Sequence, residues 1–368
     1  MIFCEHCFND FEVKNIIRSN STLHIGNCPI CGHSQSYLYD TDIQSVLTPY
    51  FEELLDIYTT ANDLPTTYPI AETRCLIDDL QNRWNIFSNI SRSNMLDILK
   101  SICNDKFNDN PNLFINAVGI AELYDKTYLE NHALLKYSNW TNFVNKIKTE
   151  NRYHSKFINF EILEKYCSFI RKAYKKDSVF YRARISEQNG FTTNEMSAPP
   201  AGKSSEGRAN ARGITCLYLA NNIETTLHEV RAGIFDYVSV GEFVLKQDIV
   251  VVNLRAITEI SPFIYDLDYL DHAINKQYLE KLNSEMSKSL RRSDSTLDYV
   301  PTQYIVDFIK SIEHDNKQEY DGIEYNSTIN PGGYNLAIFN PNLFECVKVN
   351  VYKIDKLQYT YSSVLNQS

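Results

Sequence analysis

Two short cysteine pairs constrain this chain more than any other feature. Cys4-x-x-Cys7 and Cys28-Pro-x-Cys31 fall within the first 31 residues, with 20 residues between the pairs. Residues 1–40 are rich in Cys, His, Asn and Gly and hold no core-sized apolar run, and a segment this short needs a staple to fold. A tight turn lets both thiolates of one pair reach a single ion. Two such pairs supply four thiolates, which make a closed tetrahedral zinc site, structural rather than catalytic. Gly32 suits the turn after the second pair, and His6 and His33 lie inside the knuckles as alternative ligands. Disulfides or free thiols are the competing reading. The N-terminus carries Glu5, His6 and Asp10 where an export signal needs a basic and then an apolar region. Apolar runs such as Ile249–Val252 are too short to span a bilayer. The expectation is a soluble cytoplasmic chain away from membranes, in a compartment that favours zinc over disulfides. Cys75, Cys103, Cys167, Cys216 and Cys346 sit among apolar neighbours and read as core thiols.

The first 40 residues resemble a zinc ribbon. Such modules bind nucleic acid or protein, and the fold alone does not say which. The net charge of -10 makes the chain a poor binder of nucleic acid, and Lys14, Arg18, His24 and His33 are thin material for a grip on it. With 368 residues, 43% of them hydrophobic, the chain has material for two or three domains. Residues 41–175 read as an all-α middle domain. Leu47, Phe51, Leu54, Leu55 and Tyr58 fall at helical spacing, and amphipathic stretches follow near 71–90, 93–104, 111–123 and 158–174. No legible chemistry marks this segment.

From about Lys176 to residue 360 the texture changes. β-type runs cover Val179–Ile185, Ile214–Ala220, Val238–Leu245, Ile249–Leu254, Gly322–Tyr325, Leu336–Phe339 and Cys346–Tyr352. Helical patterns intervene at 222–232, 268–292 and 302–314, which together predict an α+β domain. Several familiar motifs fail here. Gly202-Lys203-Ser204 looks like a phosphate loop, but Ser197 stands where its first glycine belongs, and Pro199 and Pro200 lack the N–H groups it uses. His228-Glu229 begins a zinc-protease motif that Ala232 breaks. Neither the Gly-x-Gly-x-x-Gly fingerprint nor a Gly-x-Ser-x-Gly elbow is present.

Four stretches remain: Phe180-Tyr181-Arg182-Ala183-Arg184; Met196 to Pro200 with Gly207-Arg208-Ala209-Asn210; Leu217-Tyr218-Leu219-Ala220 with Asn222 and His228-Glu229-Val230-Arg231; and Pro301-Thr302-Gln303 with Asp321-Gly322-Ile323, Tyr325, Ser327 and Gly333-x-Asn335. Read physically, they describe a dinucleotide site without a Rossmann fold. Arg182, Arg208 and Arg184 are candidate forks for pyrophosphate oxygens. Tyr218 offers a flat face to a cationic ring. Asn222 caps a short helix that presents Glu229, read as a carboxylate turned inward near several arginines. Breaking an N-glycosidic bond passes through an oxocarbenium-like sugar that such a carboxylate stabilises, and nicotinamide leaves neutral, so one carboxylate suffices. The structural alternatives are an Arg182–Glu229 or Arg231–Glu229 ion pair, a core Tyr218 and an ordinary turn at Ser327.

Taken together and in order, these stretches resemble the RES family, named for its Arg, Glu and Ser, over about 178–350. The resemblance implies a fold similar to that of ADP-ribosyltransferases and a toxin or defence effector that depletes NAD+, its substrate, by hydrolysis or phosphorolysis, with phosphate then a co-substrate. It implies catalytic roles for Glu229, Arg182, Tyr218 and Ser327, with Arg182, Arg208, Asn210, Tyr218 and Ser327 as dinucleotide contacts. Cys4, Cys7, Cys28 and Cys31 stay with the structural zinc. Short members of the family pair with a helix-turn-helix antitoxin, so an antitoxin or regulatory protein is an expected partner, as is a second copy of the chain in a homo-oligomer. The middle segment looks like the HEPN-type regions fused to some RES domains, but it lacks their Arg-x4–6-His pattern, which argues against nuclease activity. Two other functions share the same residues: an ADP-ribosyltransferase acting on a macromolecule, and a zinc-ribbon binding protein with a nucleotide-sensing domain.

Overall fold

The computed structural model describes residues 1–20, 25–136, 139–153, 157–288 and 295–358; His24 lies outside them. The chain divides into two compact units, Met1–Tyr137 with Glu259–Gln277, and Ser138–Thr258 with Tyr278–Ser368. Among the described residues no helix is long and apolar enough to cross a membrane.

In the first unit, β1 (Ile2–Cys4), β2 (Ile25–Gly26) and β3 (Ser36–Asp40) form a small antiparallel sheet in the order β1-β3-β2. The helix Phe11–Asn20 follows the first cysteine pair, and Asp10 accepts the Val13 N–H at 3.0 Å to cap it. This segment does not close on a core of its own. Phe3 stacks on Tyr39 with ring centroids 5.3 Å apart, and Phe8 meets both Phe51 and Phe87. The cysteine-bearing residues therefore share one hydrophobic core with the helices Thr48–Asp56 and Arg92–Ile102, and the compact unit runs past residue 40.

The expected all-α segment also contains strands. β4 (Thr59–Thr60), β5 (Arg74–Cys75) and β6 (Ala117–Gly119) make a second small sheet in the order β4-β6-β5. The apolar pattern near 111–123 reads as one helix but breaks after Ile115, where small residues let the chain extend. Gly119 admits the Tyr68 ring so closely that a Cβ would meet it at 2.6 Å. One buried polar cluster in this unit is fully paired. Tyr58 donates to Asp79 at 2.7 Å, Trp84 Nε1 donates to Tyr58, and Arg83 forks onto the same carboxylate. His272, in the helix Tyr269–Met286, stacks near Trp84 with its Nε2 3.1 Å from the Ile260 carbonyl, and burial pushes its pKa down to about 3.

The second unit is built on one eight-stranded sheet. Its described strands are β7 (Arg171–Tyr174), β8 (Val179–Ser186), β9 (Leu217–Ala220), β10 (Tyr237–Leu245) and β11 (Ile249–Asn253). A separate two-stranded ribbon, β12 (Glu313–His314) and β13 (Lys317–Gln318), precedes β14 (Gly322–Asn326), β15 (Tyr334–Ile338) and β16 (Phe344–Lys353). The order is β16-β10-β8-β9-β15-β14-β11-β7, antiparallel throughout except for β11 beside β14. The predicted strands fall within two or three residues of these, and the sheet is the α+β frame expected. One boundary differs. The apolar stripe near 158–174 is a helix only over Phe160–Phe169. The next residues alternate as β7 and join the sheet, so the unit begins well before residue 176.

Side chains alternate across this sheet. Phe180, Leu217, Leu219, Phe243 and Leu336 pack on one face, and Ala183, Val238 and Val240 with Tyr181 on the other. β8 and β9 are paired only at Tyr181 and Ala220. Beyond that pair the Arg182 guanidinium, not the backbone, bonds to β9.

Candidate active site and cysteine cluster

The split between β8 and β9 opens onto a cavity of about 580 Å³ in the second unit. Arg182, Arg208, Tyr218 and Glu229 all line it. Arg182 Nη1 donates to the Tyr218 carbonyl at 3.2 Å, while its Nε is buried with no hydrogen-bond partner. Burial and then the nearby Arg184 lower the guanidinium pKa. The Arg182–Glu229 ion pair does not form among the described residues. A buried cation with an unused donor is costly unless an anion meets it.

Glu229 differs from expectation. It is an exposed residue at the cavity, the last in the helix Ile223–Glu229, which Asn222 caps by accepting the Thr225 N–H at 2.8 Å. A carboxylate at the negative end of a helix is unfavourably placed unless donors reach it. Two do. Ser327 Oγ donates to Glu229 Oε1 at 2.7 Å and Asn335 Nδ2 donates to the same oxygen at 2.8 Å. Ser327 Oγ also accepts the N–H of Asn330 at 3.2 Å, so it is both the turn residue and the prop for Glu229. Gly333 lets this turn press on the helix, since a Cβ there would meet Thr225 Oγ1 at 2.3 Å.

The Gly207–Asn210 loop is fixed by its own side chains. The Tyr218 hydroxyl accepts the Ala209 N–H at 2.9 Å and donates to Asn210 Oδ1 at 2.6 Å, and burial raises the phenol well above its usual range. The Asn210 amide donates to the carbonyls of Ser205, Ala211 and Ile214. Asn210 is 2% exposed, so it shapes the loop from beneath. Gly207 passes so near Tyr218 that a Cβ would sit 2.6 Å from its hydroxyl. Arg208 reaches across to the carbonyls of Glu285, at 2.8 Å, and Lys288, at 2.6 Å, at the end of the helix Tyr269–Met286. Arg184 is turned elsewhere, onto the Glu195 carbonyl and the Phe191 ring.

The structure therefore gathers Arg182, Arg208, Tyr218 and Glu229 at the cavity, puts Ser327 behind Glu229, and leaves Asn210 and Arg184 out of it. Sequence reasoning gave no role to Asn335, nor to the aromatic wall of Tyr181, Tyr299 and Tyr325. Strand alternation held part of that signal: Tyr325 and Asn335 are cross-strand partners on β14 and β15, and the Tyr218 and Ala220 positions of β9 continue the same face.

In the first unit Cys4, Cys7, Cys28 and Cys31 bring four sulfurs within 4.8 Å of one another. Cys4 and Cys31 are 3.5 Å apart, and Cys7 and Cys28 are 3.6 Å apart. A tetrahedral zinc with 2.3 Å bonds needs neighbouring sulfurs about 3.8 Å apart, so the set fits that ion. His33 Nδ1 lies 3.3 Å from Cys31 Sγ and its ring stacks on His6, which sets the histidines around the thiols rather than in place of one. The other cysteines behave as core thiols in part: Cys103, Cys167 and Cys216 are buried, while Cys75 and Cys346 are half-buried.

The second unit is thus an α+β domain whose split sheet carries an Arg, Glu and Ser constellation around one cavity. The RES domain family model matches residues 179–362, half of the chain, and the chain belongs to this family, which is associated with NAD+-related toxin function. No curated protein and no solved structure matches the chain.

Proposed function

We propose that the second unit cleaves NAD+ at the bond between nicotinamide and ribose and so depletes the cell of it, as a toxin or defence effector. The observation that carries this reading is the presence of opposite charges in one cavity: a half-buried arginine whose buried Nε is unused, and a carboxylate held by two donors on a single oxygen. Arg182 would meet the pyrophosphate, with Arg208 beside it. At about 580 Å³ the cavity has the size of an ordinary small-molecule site, and its tyrosines suit flat rings. Glu229, with Oε1 engaged by Ser327 and Asn335, keeps Oε2 for the ribose.

In the reaction the bond from ribose C1′ to the pyridinium nitrogen breaks, and its electron pair leaves with nicotinamide, which becomes neutral. Positive charge builds on the sugar and Glu229 stabilises it. Water then adds to C1′ and loses a proton, giving ADP-ribose; phosphate adding instead gives the sugar phosphate. In this reading the sheet is a frame of the ADP-ribosyltransferase kind. Zinc at the four cysteines would hold the first unit together, and that unit would recruit or restrain through a regulatory protein or a second copy of the chain. The purified full chain, incubated with NAD+ with and without phosphate, should release nicotinamide. Phosphate dependence identifies phosphorolysis, and label retained on protein identifies transfer to a macromolecule.

A further inference from the structure

The Gly207–Ala211 loop borders, at Ala211, a second cavity, also within the second unit and about 350 Å³ in volume. Gly207 and Arg208 line the first cavity and Ala211 lines the second. Gln303, which faces the second cavity, fastens the loop from that side: its amide donates to the carbonyls of Gly207 at 2.8 Å and Asn210 at 3.0 Å. The two cavities therefore share one strip of backbone.

The second cavity has its own chemistry. Phe160, Tyr304 and Phe308 are half-buried rings, and Phe160 stacks on Phe308 with centroids 4.3 Å apart. A wall of partly exposed aromatic rings suits a planar aromatic ligand. Ser311 already donates its hydroxyl to the Phe308 carbonyl at 2.7 Å, and the Gln303 amide is spent on the loop. Asp307 is different. Among the described residues its carboxylate has no hydrogen bond or ion pair, and Lys310 acts on it only at a distance. It keeps solvent access on its outer side. An ionised carboxylate only accepts, so a ligand that satisfies it must bring N–H donors.

We propose that this cavity binds a small planar heteroaromatic molecule bearing an amino group, an aminopurine base above all. The base lies on the aromatic wall and its amino group donates to Asp307. The binding stands independently of the NAD+ reading; any effect on turnover rests on it.

Adenosine is the probe, because it carries the base and has no phosphate for Arg182. Its binding to the full chain is measured by calorimetry for the native protein, Asp307→Asn and Glu229→Gln, with thermal melts to verify folding; Asp307 is exposed, so the first substitution leaves the core untouched. Losing a hydrogen bond to a charged group should weaken adenosine about tenfold or more in Asp307→Asn, while Glu229→Gln should bind as the native protein does. NAD+ turnover without adenosine should be unchanged in Asp307→Asn. Native-like adenosine binding by Asp307→Asn overturns the proposal, as does equal or greater weakening in Glu229→Gln, which would put adenosine in the first cavity. No binding at about 1 mM, weaker than any useful effector affinity, also overturns it. None of the overturning outcomes bears on nicotinamide release, so the two proposals fail separately.

Discussion

At the cysteine cluster, four thiols from two turns converge within 4.8 Å, an arrangement that a cation held among them would reconcile. At the cavity of the second unit, unlike groups are kept apart. Arg182 bonds a backbone carbonyl, Glu229 takes its donors from Ser327 and Asn335, and no ion pair joins the two. Four thiolates would fill the coordination sphere of a zinc ion and leave no open position, so on the proposed reading the first arrangement contributes stability. The second is held by hydrogen bonds from neutral donors and keeps the Arg182 and Glu229 charges apart, which on the proposed reading suits a ligand that is anionic at one end and becomes cationic at the other.

Removing the ion should have the largest effect. Structural zinc sites contribute on the order of 10 kcal/mol to folding. Cys28→Ser should abolish stoichiometric zinc in elemental analysis and unfold the first unit, as read by near-ultraviolet circular dichroism. A native spectrum with no metal would erase the contrast between the two regions.

Acid should distinguish the units next. His272 has a folded pKa near 3, below the 6.5 of the free side chain. As pH falls from 6.5 the unfolded chain takes up a proton that the folded one refuses, so stability is lost at about 1.4 kcal/mol per pH unit until pH 3. His272→Gln should flatten the melting temperature over that window, and an unchanged slope would show that His272 is not the group responsible.

The smaller effect sharpens the account of the cavity. Ser327→Ala and Asn335→Ala each remove one donor to Glu229, a charged hydrogen bond of about 1.5–3 kcal/mol. Each should lower kcat for nicotinamide release about tenfold or more with little change in KM. A rise in KM alone would make them ligand contacts instead.

The contrast also explains what could be read in advance. The cysteine cluster was legible because its geometry is local: spacing within each pair brings the thiols together. Arg182, Tyr218 and Glu229 were legible as residue types, yet their partners were not. The donors to Glu229 come from positions 98 and 106 residues later, brought near by the β9–β15–β14 pairing. No periodicity announces that the Tyr218 hydroxyl will be spent on a loop or that Asn210 will lie beneath it. The middle segment misled because short strands such as Ala117–Gly119 and Arg171–Tyr174 carry too few residues to display a period of two against a helical stripe.

On the proposed function, Glu229 drives cleavage of the bond between nicotinamide and ribose in the cavity of the second unit. Nicotinamide release should be measured by chromatography for the native chain and for Glu229→Gln, which keeps the side chain's shape and removes its charge. The native protein should turn NAD+ over, and the variant should lose about a hundredfold or more in kcat while retaining its fold and its zinc. Equal release by the two proteins would contradict the account.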